Sequence, residues 1–381
     1  MKIPSPDRSG GEEGISGTEP IIINLDKILV GENLDIVEHA YIQIENGVIT
    51  DIENTWSHDG ISLGGIATPL PVNAHVHLND YVVPEACIGL DLASFVGSKG
   101  IKLPLTRLNR HDFLDKPLKE SLNTYYLVAD FQEHKDYCRE NKELVERTGA
   151  IYLGFSRPSN PLDPEEYWEA ARLCGGIGVS NPLRLPPHVM EELHRISHQY
   201  PVSAHVSETE KMEERGSLHY FLNYRIKMTS IVHGVFLKRW ELRILAEENI
   251  PLVVCPRSNI WFVGRTADIP YALSEGVTIA IGTDNAGCFH PDIFAEMELL
   301  FTILGNSIDP YEIVRMAFIN GYIAVGIEPR YIDTGQPANI LILRESRLAR
   351  HTWNVYGSII RRARYCDKII LRGKSIVKSF N

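Results

Sequence analysis

From Pro71 to Gly282 the chain alternates short apolar runs with amphipathic stretches, and it does so eight times. The runs are Pro71–Leu78, Tyr125–Phe131, Ile151–Ser156, Gly176–Ser180, Val202–His205, Ser230–Val235, Leu252–Cys255 and Thr278–Gly282. Between them, segments such as 163–174 and 187–199 carry apolar residues every three or four positions, the spacing of one helix face. Parallel strands need a crossover of a dozen or more residues, usually a helix, and with both faces covered they read as continuous apolar runs. Eight β-then-α units therefore predict an α/β fold of the TIM type, a closed (β/α)8 barrel.

A chain of 381 residues is longer than such a barrel alone requires. From Ile21 the texture is β-rich, with an Asn46-Gly47 hairpin signal, and a similar texture returns in ANILILRE, VYGSIIRRARYC and KIILRGKSIVKSF near the other end. The expected organisation is a disordered tail over 1–18, rich in Gly, Ser, Pro and Glu, then a small β-sandwich built from 19–68 and 337–381. The barrel occupies 69–336 between its halves.

In barrels of this kind functional side chains sit at the C-terminal ends of strands. The first run ends in His75-Val76-His77, and residues two apart on a strand point the same way, so both imidazoles can face one ion. The fifth run ends at His205 with Glu208 three residues on, the sixth carries His233, and Asp284 follows the eighth. Each alone has a dull explanation: a satisfied core histidine, or an aspartate capping a helix. Together, four separate strands place ligand-type or proton-transfer residues on one rim, which chance would scatter.

This order, H-x-H after strand one, H-x-x-E after strand five, His after strand six and Asp after strand eight, resembles the amidohydrolase superfamily. The segments VNAHVHL, HVSETE, VHGVFL, CPRSN and GTDN make it similar to the deaminase and chlorohydrolase branch, from about Ile21 to the C-terminus. It departs from that branch at Pro69-Leu70-Pro71 and at Ala338-Asn339, both outside the motifs. The resemblance implies one divalent metal held by His75, His77, His205 and Asp284. Zinc suits that set best, and ferrous iron accepts it too. Relatives with two metals bridge them through a strand-four lysine or glutamate, whereas this strand reads GGIGVSNP, so a single metal is implied.

The implied catalytic residues are Glu208, His233 and Asp284. His233 would orient the attacking water, Asp284 could take its proton, and Glu208 would protonate a ring nitrogen beside the departing amine. The expected reaction is deamination of an N-heterocycle: a nucleobase, nucleoside or related ring. Hydrolytic dechlorination or cyclic amide cleavage on the same site is the alternative, and a non-catalytic metal-binding barrel is a third reading. Gln132, Arg157 and Asn181 follow strands two, three and four and are candidate substrate contacts. Segment 87–112 could form a lid, whose Lys99, Lys102, Arg107 and Arg110 would either meet a phosphate or carboxylate or lie in solvent. Trp261 and Phe262 could stack on a planar ring or pack against a helix.

A net charge of −11 argues against a nucleic-acid partner, which needs a basic face, and no apolar run reaches the length of a membrane span. A cytoplasmic enzyme with a small-molecule substrate is expected, and homo-oligomers are common in the branch it resembles. The six cysteines, with no close pair in sequence, are expected to be reduced, mostly buried thiols.

Overall fold

The structure is a computed structural model that describes residues 13–14, 20–97, 99–108, 112–214, 216–344, 350–373 and 375–379. The expected tail over 1–18 lies outside the described residues except at Glu13 and Gly14. The chain divides into two units, 1–70 with 330–381, and 71–329.

In chain order the first unit contributes β1 (Glu13–Gly14), β2 (Ile21–Val30), β3 (Asp35–Glu45), β4 (Val48–Glu53), β5 (Ile61–Ser62) and β6 (Ile66–Pro69). The second contributes β7 (Val72–His77), β8 (Leu127–Gln132), β9 (Ile151–Ser156), β10 (Gly175–Val179), β11 (Val202–Val206), β12 (Ser230–His233), β13 (Leu252–Val254), β14 (Ile279–Ile281) and β15 (Asp284–Asn285). The chain then returns to the first unit with β16 (Asn339–Arg344), β17 (Asp367–Arg372) and β18 (Ser375–Ser379). The segment VYGSIIRRARYC, expected to be β-rich, instead forms a helix over Val355–Arg362, capped by Asn354 and burying Val355, Ile359 and Ile360 on one face.

Strands from both ends of the chain form one mixed sheet in the first unit, ordered β1-β18-β17-β16-β6-β2-β3-β4 with β5 beside β2. The β3–β4 hairpin turns on Asn46 and Gly47, at φ 51° and 82°. Positive φ at both central residues is what a two-residue hairpin loop demands, and Asn-Gly supplies it at little cost. Ile23, Leu25, Ile42, Ile340 and Ile342 lie in this unit's core cluster.

In the second unit all eight expected strands are present, each paired in parallel with the next from β7 to β14. Closure comes at β15, two residues past β14, which pairs with β7 through Asp284↔Val76 and Asn285↔His77. Thr283 N–H donates to the His75 carbonyl at 2.8 Å across the same seam. Gly282 makes this approach feasible, since a Cβ there would lie 2.7 Å from the His75 carbonyl oxygen. One apolar cluster joins Val72, Leu127, Phe131, Val232, Val253 and Ala280, so the strands share a packed core.

The cysteine expectation is corrected here. Cys87 is bonded to Cys288 and Cys138 to Cys174, with Cα separations of 5.9 and 5.4 Å, and only Cys255 and Cys366 remain as buried thiols. Sequence separations of 201 and 36 hid both pairs. No helix among the described residues is long and apolar enough to cross a membrane.

Candidate metal centre and active site

β7 ends in His75 and His77, and both side chains are buried. His75 Nε2 lies 3.3 Å from His205 Nε2 at the end of β11, and 3.5 Å from Asp284 Oδ1. His77 Nε2 is 3.4 Å from the same carboxylate oxygen. The possible ligand atoms of His75, His77 and His205 all fall within 4.8 Å of one another, as do those of His75, His233 and Asp284, and those of His205, Glu208 and His233. The five residues drawn from four strand ends, together with Glu208, thus meet in one place.

Two of these residues also carry backbone strain. His233 and Asp284 adopt φ of 74° and 56°, in the left-handed region that non-glycine residues avoid. Such conformations persist where surrounding structure fixes them, and they turn these two side chains off the ends of β12 and β14.

The charge states suit a cation. Burial lowers the proton affinity of His75, His77 and His205, so these imidazoles are held neutral, the form that ligates metal. Burial alone would raise Asp284, but its contact with His75 and the fields of His233 and His77 outweigh that and keep it well below the usual carboxylate range. Two neutral imidazole nitrogens facing each other beside an ionised carboxylate form a donor set that a divalent cation satisfies. The residues therefore fit the metal that the sequence implied.

Glu208 is moved the other way: burial and the Asp284 charge raise its carboxyl pKa against the pull of His233 and Lys102. Its Oε1 is 3.7 Å from His233 Nε2. The far side of that ring is fixed by Asn259, whose Nδ2 lies 3.0 Å from His233 Nδ1. Asn259 Oδ1 accepts the Cys255 N–H at 3.4 Å, so its amide nitrogen is the end that donates to His233. That leaves His233 Nε2 as the ring nitrogen facing Glu208 and the cluster.

Three supports escaped the sequence reading. Phe131, fully buried, stacks on His205 with centroids 4.6 Å apart and meets His75 and His77 edgewise at 5.4 and 5.3 Å. Ser258 Oγ donates to Asp284 Oδ2, and Asn259 orients His233. The last two stand in the CPRSN segment, where the helix Pro256–Val263 begins just past β13, so the strand-end rule could have found them.

The proposed substrate contacts fare differently. Gln132 is buried, with its amide committed to Asn79 Nδ2 at 2.6 Å and to Asp130, and these bonds tie β8 to the turn after β7. Asn181 Oδ1 caps the turn Pro182–Arg184, accepting from Leu183 N–H at 3.1 Å. Arg157 keeps a third of its side chain exposed and pairs with Glu133. Lys102 is buried, 2.9 Å from Asp80 Oδ2 and 3.2 Å from Glu133 Oε1, whereas Lys99 is exposed and Arg110 lies outside the described residues. Phe262 stacks against Phe95 at 6.2 Å, while Trp261 stays half exposed beside Phe289.

An eight-stranded α/β barrel that gathers four imidazoles and two carboxylates at its C-terminal strand ends has the architecture of a metal-dependent hydrolase. The sequence agrees: residues 187–358 match the model of the amidohydrolase family. It is 27% identical to an uncharacterised protein of Methanocaldococcus jannaschii over 90% of this chain and 94% of that one. It is 26% identical to a 5′-deoxyadenosine deaminase of Methanothermobacter thermautotrophicus, over 61% of this chain and 53% of the deaminase. A crystal structure of a zinc-bound adenosine deaminase from Xanthomonas campestris superposes with a TM-score of 0.78 at 18% identity, covering 93% of this chain and 92% of that one, which shows a shared fold.

Proposed function

We propose that this protein is a metal-dependent aminohydrolase that removes an amino group from an N-heterocycle by attack of water. The observation that carries the reading is the placement of Glu208, whose carboxylate shares one pocket with His205 and His233 beside the other donor residues. His75, His77, His205 and Asp284 would hold a single divalent ion, with zinc the best match to three imidazoles and a carboxylate. Such an ion supplies Lewis acidity, bringing the pKa of a bound water toward neutrality.

The chain's own residues do the rest. His233, its ring held by Asn259, presents Nε2 to the pocket and orients the attacking oxygen. Asp284 has Oδ2 tied to Ser258, which leaves Oδ1 toward His75 and His77 and able to accept a proton. Glu208, buried and pushed toward its protonated form, delivers a proton to the ring nitrogen next to the amino carbon, so that negative charge does not build on the ring. The relatives named as deaminases support this reading. A small heterocyclic substrate and a cytoplasmic site of action belong to the same proposal.

The test is ammonia release from adenine, guanine, cytosine and pterin compounds and their nucleosides, using zinc-loaded protein. Glu208→Gln should keep the metal and lose about 100-fold or more in turnover. Chloride release in place of ammonia would make the enzyme a dechlorinase, and near-normal rates in the variant would remove Glu208 from the chemistry.

A further inference from the structure

Ser258 and Asn259 hold Asp284 and His233, so whatever fixes those two residues also sets the proposed proton-transfer groups. Both lie in the first turn of the helix Pro256–Val263, which begins just past β13. That turn is weakly secured from within. Cys255 at its N-cap makes no side-chain cap, and Pro256 has no N–H to give. The first bond inside the helix runs from the Asn259 N–H to the Cys255 carbonyl at 2.9 Å, which leaves the Arg257 N–H outside the helical ladder.

Glu296, from the helix Ile293–Leu304, supplies the missing cap. Its Oε2 accepts the Arg257 backbone N–H at 2.9 Å, and its Oε1 accepts the Arg257 Nε–H at 2.6 Å. One carboxylate thus fastens both the backbone and the side chain of the same residue. The rest of the guanidinium reaches the loop after β15. Its Nη2 donates to the His290 carbonyl at 2.8 Å, and the group stands 5.5 Å from the centre of the Phe289 ring.

Glu296 is fully buried and Arg257 largely so. A negative charge at a helix start is favoured by the helix dipole, and a two-point charge-assisted contact fixes direction as well as distance. The buried carboxylate tolerates few other arrangements, because a lost donor leaves it unpaired in a low dielectric. Arg257 therefore locks the turn that carries Ser258 and Asn259 to the loop that follows Asp284.

We infer that Arg257 and Glu296 are positioning residues for the proposed reaction. Their buried pair fixes the first helical turn after β13, and through Ser258 and Asn259 it sets Asp284 and His233 for proton transfer. Neither is among the residues proposed to hold the metal. The chemistry rests on the aminohydrolase reading, whereas the linkage from Glu296 to His233 is a matter of geometry.

The experiment is a mutant cycle in zinc-loaded protein, reading ammonia release from whichever compound the parent deaminates. Arg257→Ala should keep stoichiometric zinc and a KM within about twofold of the parent, while kcat falls about tenfold or more. In a Ser258→Ala/Asn259→Ala background, already slow, adding Arg257→Ala should lower kcat by less than about twofold, since the route it acts through is gone. A second tenfold loss in that background would overturn the inference, as would an unchanged kcat in the single variant. Should Arg257→Ala not fold, Glu296→Gln keeps the volume, removes the charge and carries the same expectations. If the parent deaminates no compound, the aminohydrolase reading fails separately, and the 15N resonances of the histidine rings decide. The His233 Nδ1 signal, assigned by its movement in Asn259→Ala, should also move in Arg257→Ala. A signal that stays in place overturns the positioning role.

Discussion

The His75 ring touches almost every part of the proposed centre: His205 Nε2 at 3.3 Å, Asp284 Oδ1 at 3.5 Å, and the rings of His77 and Phe131 edgewise. Its removal should therefore act on the metal before it acts on the fold. His75→Ala is expected to lose bound zinc, measured by metal analysis after gel filtration, and to keep its secondary structure. Stoichiometric zinc in that variant would refute the ligand assignment. Asn259 offers a finer probe, because it touches His233 and not the proposed ligands. Asn259→Ala should retain zinc while turnover falls about 10- to 100-fold, the usual cost of losing an orienting partner. These residues were legible in the sequence to different degrees. Histidines and acids at strand ends announce themselves by type. Phe131 does not: an aromatic in an apolar strand reads as core, and only the rings stacked on it show that it also braces three imidazoles.

At the scale of elements, the strands were readable because buried parallel strands leave continuous apolar runs, and the eight runs correspond to β7–β14. The short β15 was not, since two residues carry no pattern, yet its pairing with β7 is what sets Asp284 opposite Val76. Gly282 governs that seam. A Cβ there would press on the backbone nitrogen and oxygen of His75 at 2.9 and 2.7 Å, atoms that cannot move without opening β7 from β14. Gly282→Ala should lower stability by roughly 1–3 kcal/mol, in the range of an overpacked interior, and weaken zinc binding with it. A thermal melt by circular dichroism, paired with a zinc titration, checks both; an unchanged melting point would mean the seam is looser than its geometry implies. Gln132 shows the limit of the strand-end rule. The rule places a residue at the rim, but Asn79 and Asp130, brought in from another turn and from the strand itself, take its amide inward.

Over the whole molecule, sequence and structure part company at the cysteines, because the two lines of reasoning use different facts. The sequence argument runs from compartment: a chain of this size needs no staples, and a reducing cytoplasm keeps thiols free. The structure argues from proximity, with Cα separations of 5.9 and 5.4 Å, inside the range a disulfide spans without moving the backbone. The Cys138–Cys174 bridge joins the helix Tyr137–Glu146 to the end of the helix Pro164–Cys174. The Cys87–Cys288 bridge joins the segment after β7 to the loop after β15, so both its ends lie just past strands that carry proposed ligands. On the loop-entropy account, closing spans of 36 and 201 residues restricts the unfolded chain by about 4 and 5 kcal/mol respectively, before any strain in the folded state is subtracted. Protein alkylated at lysis, before any oxidation in air, should therefore show two blocked thiols, Cys255 and Cys366, once it is denatured. Reduction should then expose four more, and the melting temperature should fall. Six alkylated cysteines at lysis would show that the compartment decides and that the folded barrel keeps both pairs as neighbouring thiols. Two would show that burial protects the bridges and that the barrel is stapled on its functional rim.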